Sequence, residues 1–167
     1  MLRFLPPVVI ALASILSIVP RAPWAGQAGS RLLSGTPVES SRLWDSSDFV
    51  HVVSTERSSG KEDEFAVTLR IDDGFHINAN PASLPYLIPT SLALVGITPL
   101  RIAYPVASRF KPNFANEPLD VYEGTVVITA FLPNGALGQV PALAASVTVQ
   151  ACTEAICLPP AELVARE

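Results

Sequence analysis

Cys152 and Cys157 are the only cysteines in the chain, and they stand close together in Val149-Gln-Ala-Cys152-Thr-Glu-Ala-Ile-Cys157-Leu-Pro-Pro160. Two thiols this near can close into a disulfide in an oxidising compartment and reopen when a thiolate attacks one of the sulfurs. As a staple such a ring does little. Loop-closure stabilisation grows with loop length, reaching about 3 kcal/mol for a loop of about 15 residues and less for a shorter one. The spacing leaves two readings open, a structural disulfide that tightens a hairpin and a working redox pair. They differ in reduction potential, since structural bonds usually lie below about −300 mV. Nothing near Cys152 in the sequence supplies a strong positive charge, and Glu154, between the cysteines, would raise a neighbouring thiol pKa.

Other chemistries fit poorly. Zinc needs four ligands, and only His51 and His76 could join the two sulfurs, at spacings unlike the common zinc sites. Each histidine is expected as a surface or hydrogen-bonded residue. A Cys-His nucleophile lacks the helix-borne cysteine and the orienting partner it would need. The acids are scattered, and Asp72, Asp73 and Glu123 read as turn or solvent-face residues rather than a hydrolytic pair. Neither a glycine-rich phosphate loop nor a Gly-x-Ser-x-Gly elbow occurs. No metal or cofactor is expected, and the chemistry rests on the cysteines.

The elements that must hold them are strands. Prolines at positions 81, 85, 89, 99, 105, 112, 118, 133 and 141 leave no room between Pro81 and Pro141 for a helix of more than about four turns. The runs between them alternate in the manner of half-buried strands: Phe65 to Ile71, Val121 to Phe131, and Ala144 to Gln150. Further strands are predicted at Phe49 to Ser54, Thr90 to Val95 and Leu100 to Tyr104, with turns at Gly60, Asp73-Gly74, Gly96 and Asn134-Gly135. About six to eight short strands so punctuated predict an all-β sandwich. Leu158-Pro-Pro160 removes two backbone donors, which ends pairing just past Cys157. Ala107 to Leu119 has no apolar alternation and is predicted as an ordered loop or flap.

With 167 residues the chain has room for one domain. Its first residues carry Arg3, an apolar stretch from Leu5 to Val19, Pro20, and small residues around Ala25 to Ala28, the order of a secretory signal peptide. The stretch falls short of the about 20 residues of a membrane span. The expected divisions are a signal peptide over 1–28, a flexible serine-rich lead over 29–47, and the domain over 48–167. Removing Arg3 and Arg21 with the signal leaves 9 basic against 15 acidic residues, so nucleic acid is not an expected partner. The processed chain is expected to be a soluble monomer.

Gln150-Ala-Cys152-Thr-Glu-Ala-Ile-Cys157-Leu-Pro-Pro160 resembles the cysteine segment of the N-terminal periplasmic domain of the thiol:disulfide interchange protein DsbD, a family also called the disulfide bond corrector domain. Gly74-Phe-His-Ile-Asn-Ala-Asn-Pro81, Pro85-Tyr-Leu-Ile-Pro-Thr90 and Tyr122-Glu-Gly124 are similar to further signatures of that family, so the likeness covers about residues 45 to 165. It implies an immunoglobulin-like β-sandwich in the periplasm, working as a protein-disulfide reductase component. Such a domain takes electrons from a membrane thiol-disulfide reductase through a thioredoxin-like partner and passes them to target proteins. The resemblance further implies that Cys157 forms the mixed disulfide and Cys152 resolves it. An aromatic-bearing cap loop, here Phe110 or Phe114, would cover the sulfurs. This chain carries neither the transmembrane region nor the thioredoxin-like domain of the full-length interchange protein, so its electrons would arrive from a separate polypeptide.

Overall fold

The computed structural model describes residues 43–167. The signal segment and the lead as far as residue 42 lie outside the described residues. Among those described, regular structure is nearly all strand: β1 (Val50–Ser58), β2 (Asp63–Ile71), β3 (His76–Asn78), β4 (Ser91–Leu94), β5 (Arg101–Ala103), β6 (Ser108–Phe110), β7 (Leu119–Tyr122), β8 (Thr125–Leu132), β9 (Ala144–Val149), β10 (Ala151–Cys152) and β11 (Ala161–Arg166). They form sheets in the orders β1-β2-β8-β5, β10-β3-β7-β6 and β11-β9-β4, with every pair antiparallel.

Alternation along the long strands decides what is inside. In β2, Phe65, Val67, Leu69 and Ile71 are buried, while the residues between them are at most half-buried. Ile128, Ala130 and Leu132 of β8 do the same. These side chains meet Ala145, Val147 and Val149 of β9, Leu163 and Ala165 of β11, and Ile77, Tyr122 and Ala151 in one apolar cluster, the core of the sandwich.

The β10-β3-β7-β6 sheet is buried on both faces. Ile77, Ala151 and Tyr122 point into the main core. One residue along, the opposite face carries Val121 and Leu119 into a second cluster with Leu87 and Ala115, against which Phe110 and Cys157 pack. The site therefore sits on the back of a sheet whose front is the core.

Three expectations are corrected by the structure. Val121 to Phe131 is two strands, because the chain turns at Glu123-Gly124, where Gly124 has φ of 65°, and passes from one sheet into another. The Ala107 to Leu119 stretch opens with the edge strand β6, leaving Lys111 to Pro118 as the loop. Ser46, assigned to the lead, is fully buried in a 3-10 turn over Ser46–Asp48 that Asp45 caps. Its hydroxyl donates to Pro159 O at 2.7 Å and accepts from Ala151 N at 2.8 Å, so the entry to the fold is tied to β10. The run after Pro160 adds a further strand, β11, paired along its length with β9.

A Cβ at Gly124 would meet nothing within 4 Å, so a substitution there costs backbone strain alone. Gly124→Ala is expected to lower the unfolding free energy by roughly 1 to 2 kcal/mol, the penalty of a left-handed conformation for an L-residue. Urea denaturation checks this; a midpoint equal to that of the unchanged protein refutes it.

Candidate functional site

Cys152 ends β10, and Thr153 to Ile156 reverse the chain so that Cys157 returns directly opposite it. The reversal is built from local bonds. Thr153 N donates to Ile156 O at 2.7 Å, and the Thr153 hydroxyl accepts from the backbone N–H of Ala155 and of Ile156, both at 3.2 Å. Below the pair, Leu158 N donates to Ala151 O at 2.8 Å. The cysteines thus occupy a non-hydrogen-bonded position of a hairpin, where opposed residues come closest. Their Cα atoms are 3.9 Å apart and their sulfurs are bonded at 2.08 Å.

The two sulfur-bearing residues are unequally accessible. Cys152 is fully buried, whereas Cys157 is half-buried and borders an open cleft of about 370 Å³ lined by Tyr86, Leu87, Phe114, Gln150, Ala155, Ile156 and Cys157. Tyr86 and Ile156 are exposed apolar groups on its rim.

Gln150 and Asn78 join the wall of this cleft to the sheet. Asn78 Nδ2 donates to Ile88 O at 3.0 Å and to Gln150 Oε1 at 3.1 Å, and Ile88 N donates to the same Gln150 oxygen at 3.0 Å. Thr90 Oγ1 donates to Asn78 O at 2.6 Å. The segment carrying Tyr86 and Leu87 is therefore pinned beside the cysteine hairpin by side-chain amides.

The predicted cap residues both come to the cysteine side of the sheet, in different ways. Phe110 lies on β6, half-buried, with its ring centroid 4.3 Å from that of His76. Phe114 is on the loop, 37% exposed, at the cleft edge. The loop tip is fastened to the hairpin: Asn113 N donates to Glu154 O at 2.9 Å and Asn113 Nδ2 to Glu154 Oε1 at 2.7 Å. Glu154 is thus engaged by the loop.

His76 is the residue that sequence reasoning missed. It is 2% exposed, opposes Cys152 in the β10–β3 pair, and its Nε2 has no hydrogen-bond partner. Burial lowers its pKa below the ordinary 6.5, against the smaller opposing effect of the Glu123 charge. His51, by contrast, lies half-buried on β1 against Asp72 at 3.4 Å.

A family model described as "Thiol:disulfide interchange protein DsbD, N-terminal" matches residues 46–166. The chain belongs to this DsbD N-terminal domain family. Among solved structures it is similar to the reduced N-terminal domain of Neisseria meningitidis DsbD, with 15% identity and a TM-score of 0.50 over 71% of this chain and 83% of that one. It is also similar to the N-terminal periplasmic domain of ScsB from Proteus mirabilis, with 14% identity and a TM-score of 0.54 over 71% of this chain and 46% of that one. No curated protein matches. The fold of this DsbD N-terminal family member is the immunoglobulin-like β-sandwich, and its paired cysteines fit a family of thiol-disulfide exchange. Among the described residues no helix is long and apolar enough to cross a membrane.

The lowered His76 pKa gives a pH dependence of stability. Unfolding frees the ring to bind a proton below 6.5, which the folded state resists. The unfolded state binds more protons in that window, so stability is lost as pH falls from 6.5 toward the depressed folded value. In His76→Gln this part of the slope is expected to vanish in urea titrations at several pH values; an unchanged slope refutes the assignment.

Proposed function

We propose that this domain shuttles electrons in the periplasm through Cys152 and Cys157, from a thioredoxin-like or membrane thiol-disulfide reductase partner to target disulfide proteins. The observation that carries this reading is the unequal burial of the two cysteines within a hairpin that is already hydrogen-bonded on both sides of them. A disulfide there adds little to the fold, yet one sulfur can be approached from the apolar cleft.

Exchange runs in two displacements. A partner thiolate attacks Cys157 Sγ, the Cys152–Cys157 bond breaks, and Cys152 leaves with the electron pair and takes up a proton. The partner's second thiol then attacks its own sulfur in the mixed disulfide and releases Cys157 as a thiol. The partner dithiol is oxidised, the domain disulfide is reduced, and electrons and protons balance. Delivery to a target reverses these steps. The apolar rim of Tyr86, Phe114 and Ile156 suits an apolar contact surface on a thioredoxin-like partner. A non-redox scaffold with a structural disulfide is the second reading; the shortness of the ring speaks against it.

Cys152→Ser is expected to trap a mixed disulfide through Cys157 with a thioredoxin-like protein, and Cys157→Ser to trap much less, as read on non-reducing gels. Equal trapping by both variants, or trapping through Cys152 alone, overturns the assignment.

The Lys111 to Pro118 loop and Phe110 act in this reading as a partial cap, with Phe114 on the edge of the cleft that borders Cys157, narrowing the approach of stray thiols to the sulfurs. Phe110→Ala and Phe114→Ala are expected to speed reduction of the disulfide by glutathione. Lowered stability in both without faster reduction would make these rings packing residues only.

A further inference from the structure

The exchange steps need a proton to leave Cys152 or return to it, and Cys152 is sealed from water. In an antiparallel ladder, directly opposed residues put their side chains on the same face with Cβ atoms about 4.5 to 5.5 Å apart. The residue opposed to Cys152 is His76. Its ring is buried, and its Nε2 is left without a partner. Buried polar atoms are almost always paired, and an orphan atom calls for a reason such as catalysis.

The groups around the ring are few. β10 presents Cys152. β6 presents Phe110, which cannot titrate, at 4.3 Å between ring centroids. Past β7 comes Glu123, whose charge favours the protonated ring and whose Oε2 accepts from Ser108 Oγ at 3.1 Å. Arg109 and Asp120 pair with each other at 3.4 Å, and strand alternation puts both on the other face of the β6–β7 pair. Tyr122 shares that other face, its hydroxyl accepting from Asn80 N at 3.1 Å. On the cysteine face, Asn78 Nδ2 donates to Ile88 O and Gln150 Oε1, and its buried Oδ1, which cannot titrate, has no partner. The ring is thus a buried base on the strand position opposed to Cys152, under the influence of the Glu123 charge.

We propose that His76 is the proton carrier of the exchange, taking the proton of Cys152 as that sulfur attacks the mixed disulfide on Cys157 and returning it in the reverse step. This rests on the exchange reading above. In the forward step the imidazole accepts the Cys152 thiol proton. The Cys152 thiolate bonds to Cys157 Sγ, and the target thiolate leaves with the electron pair of the broken bond. The imidazolium, steadied by Glu123, passes its proton to the departing thiolate or to solvent. Burial keeps the ring neutral near neutral pH, the state that can accept.

The test uses the reduced protein and a single equivalent of the aromatic disulfide dithiobis(nitrobenzoate). Attack by the accessible cysteine releases a first coloured thiolate, and closure by the buried cysteine releases a second. His76→Gln is expected to slow the second release by about 10²-fold, the low end of general acid-base assistance, while leaving the first unchanged. The pH profile of the second release should lose its histidine inflection in that variant. Glu123→Gln should move the inflection to lower pH, because it removes the charge that favours the imidazolium. An unchanged second release in His76→Gln overturns the proposal. Should His76→Gln fail to fold, an inflection that Glu123→Gln does not move overturns it equally. No protein partner enters this assay, so a failure to trap a thioredoxin-like protein together with a His76 effect would refute the shuttle while leaving the proton role standing.

Discussion

The pairing of Ala151-Cys152 with His76-Ile77 is the constraint on which the rest depends. Because strand side chains alternate, seating Ile77 and Ala151 in the core compels His76 and Cys152 to the opposite face. A register slip of one residue would put a histidine and a cysteine in the main core and turn the apolar pair out of it, so the hydrophobic energy of the sandwich itself sets the position of the chemistry. Ser46 reinforces the same register by bridging Ala151 and Pro159.

The long strands are legible in the sequence because each has one wet face. From Phe65 to Ile71 in β2 and from Ala145 to Val149 in β9 every second residue is apolar and buried, which is the pattern the sequence displays. β3 shows the limit of that method: His76, Ile77 and Asn78 are all buried, and a strand covered on both sides has no polar face to reveal its period. The sequence therefore suggests a surface or hydrogen-bonded histidine where the fold holds a buried one with an unpaired nitrogen. The β11 segment, Ala161-Glu-Leu-Val-Ala-Arg166, is composed largely of good helix formers, and pairing with β9 overrides that preference. The corner at Gly124 is hidden because apolar residues continue on both sides of it, so that two strands in different sheets read as one.

At the site, the cysteine pair stands out by type and spacing, and the family likeness points to the fold. What the spacing withholds is the surroundings: that Gln150 and Asn78 fasten the Tyr86 segment, and that Asn113 ties the loop to Glu154. Such contacts join residues far apart in the chain through single side chains, and they leave no periodic trace. The amides in the Gly74 to Pro81 and Gln150 signatures are explained by them, since each satisfies backbone groups of a neighbouring segment that has no strand partner there.

The hairpin bonds on either side of the cysteines have a kinetic consequence. Leu158 to Ala151 and Thr153 to Ile156 hold the two arms together without help from the sulfurs, so cleaving the disulfide leaves the backbone with no reason to rearrange. On the exchange proposed above, oxidised and reduced forms would then offer a docking protein almost the same outline, and spent domain would compete with fresh domain for every encounter. Flux through a carrier of that kind would be governed by how quickly the wrong redox form is let go, which favours a small, weakly gripping contact over a tight one.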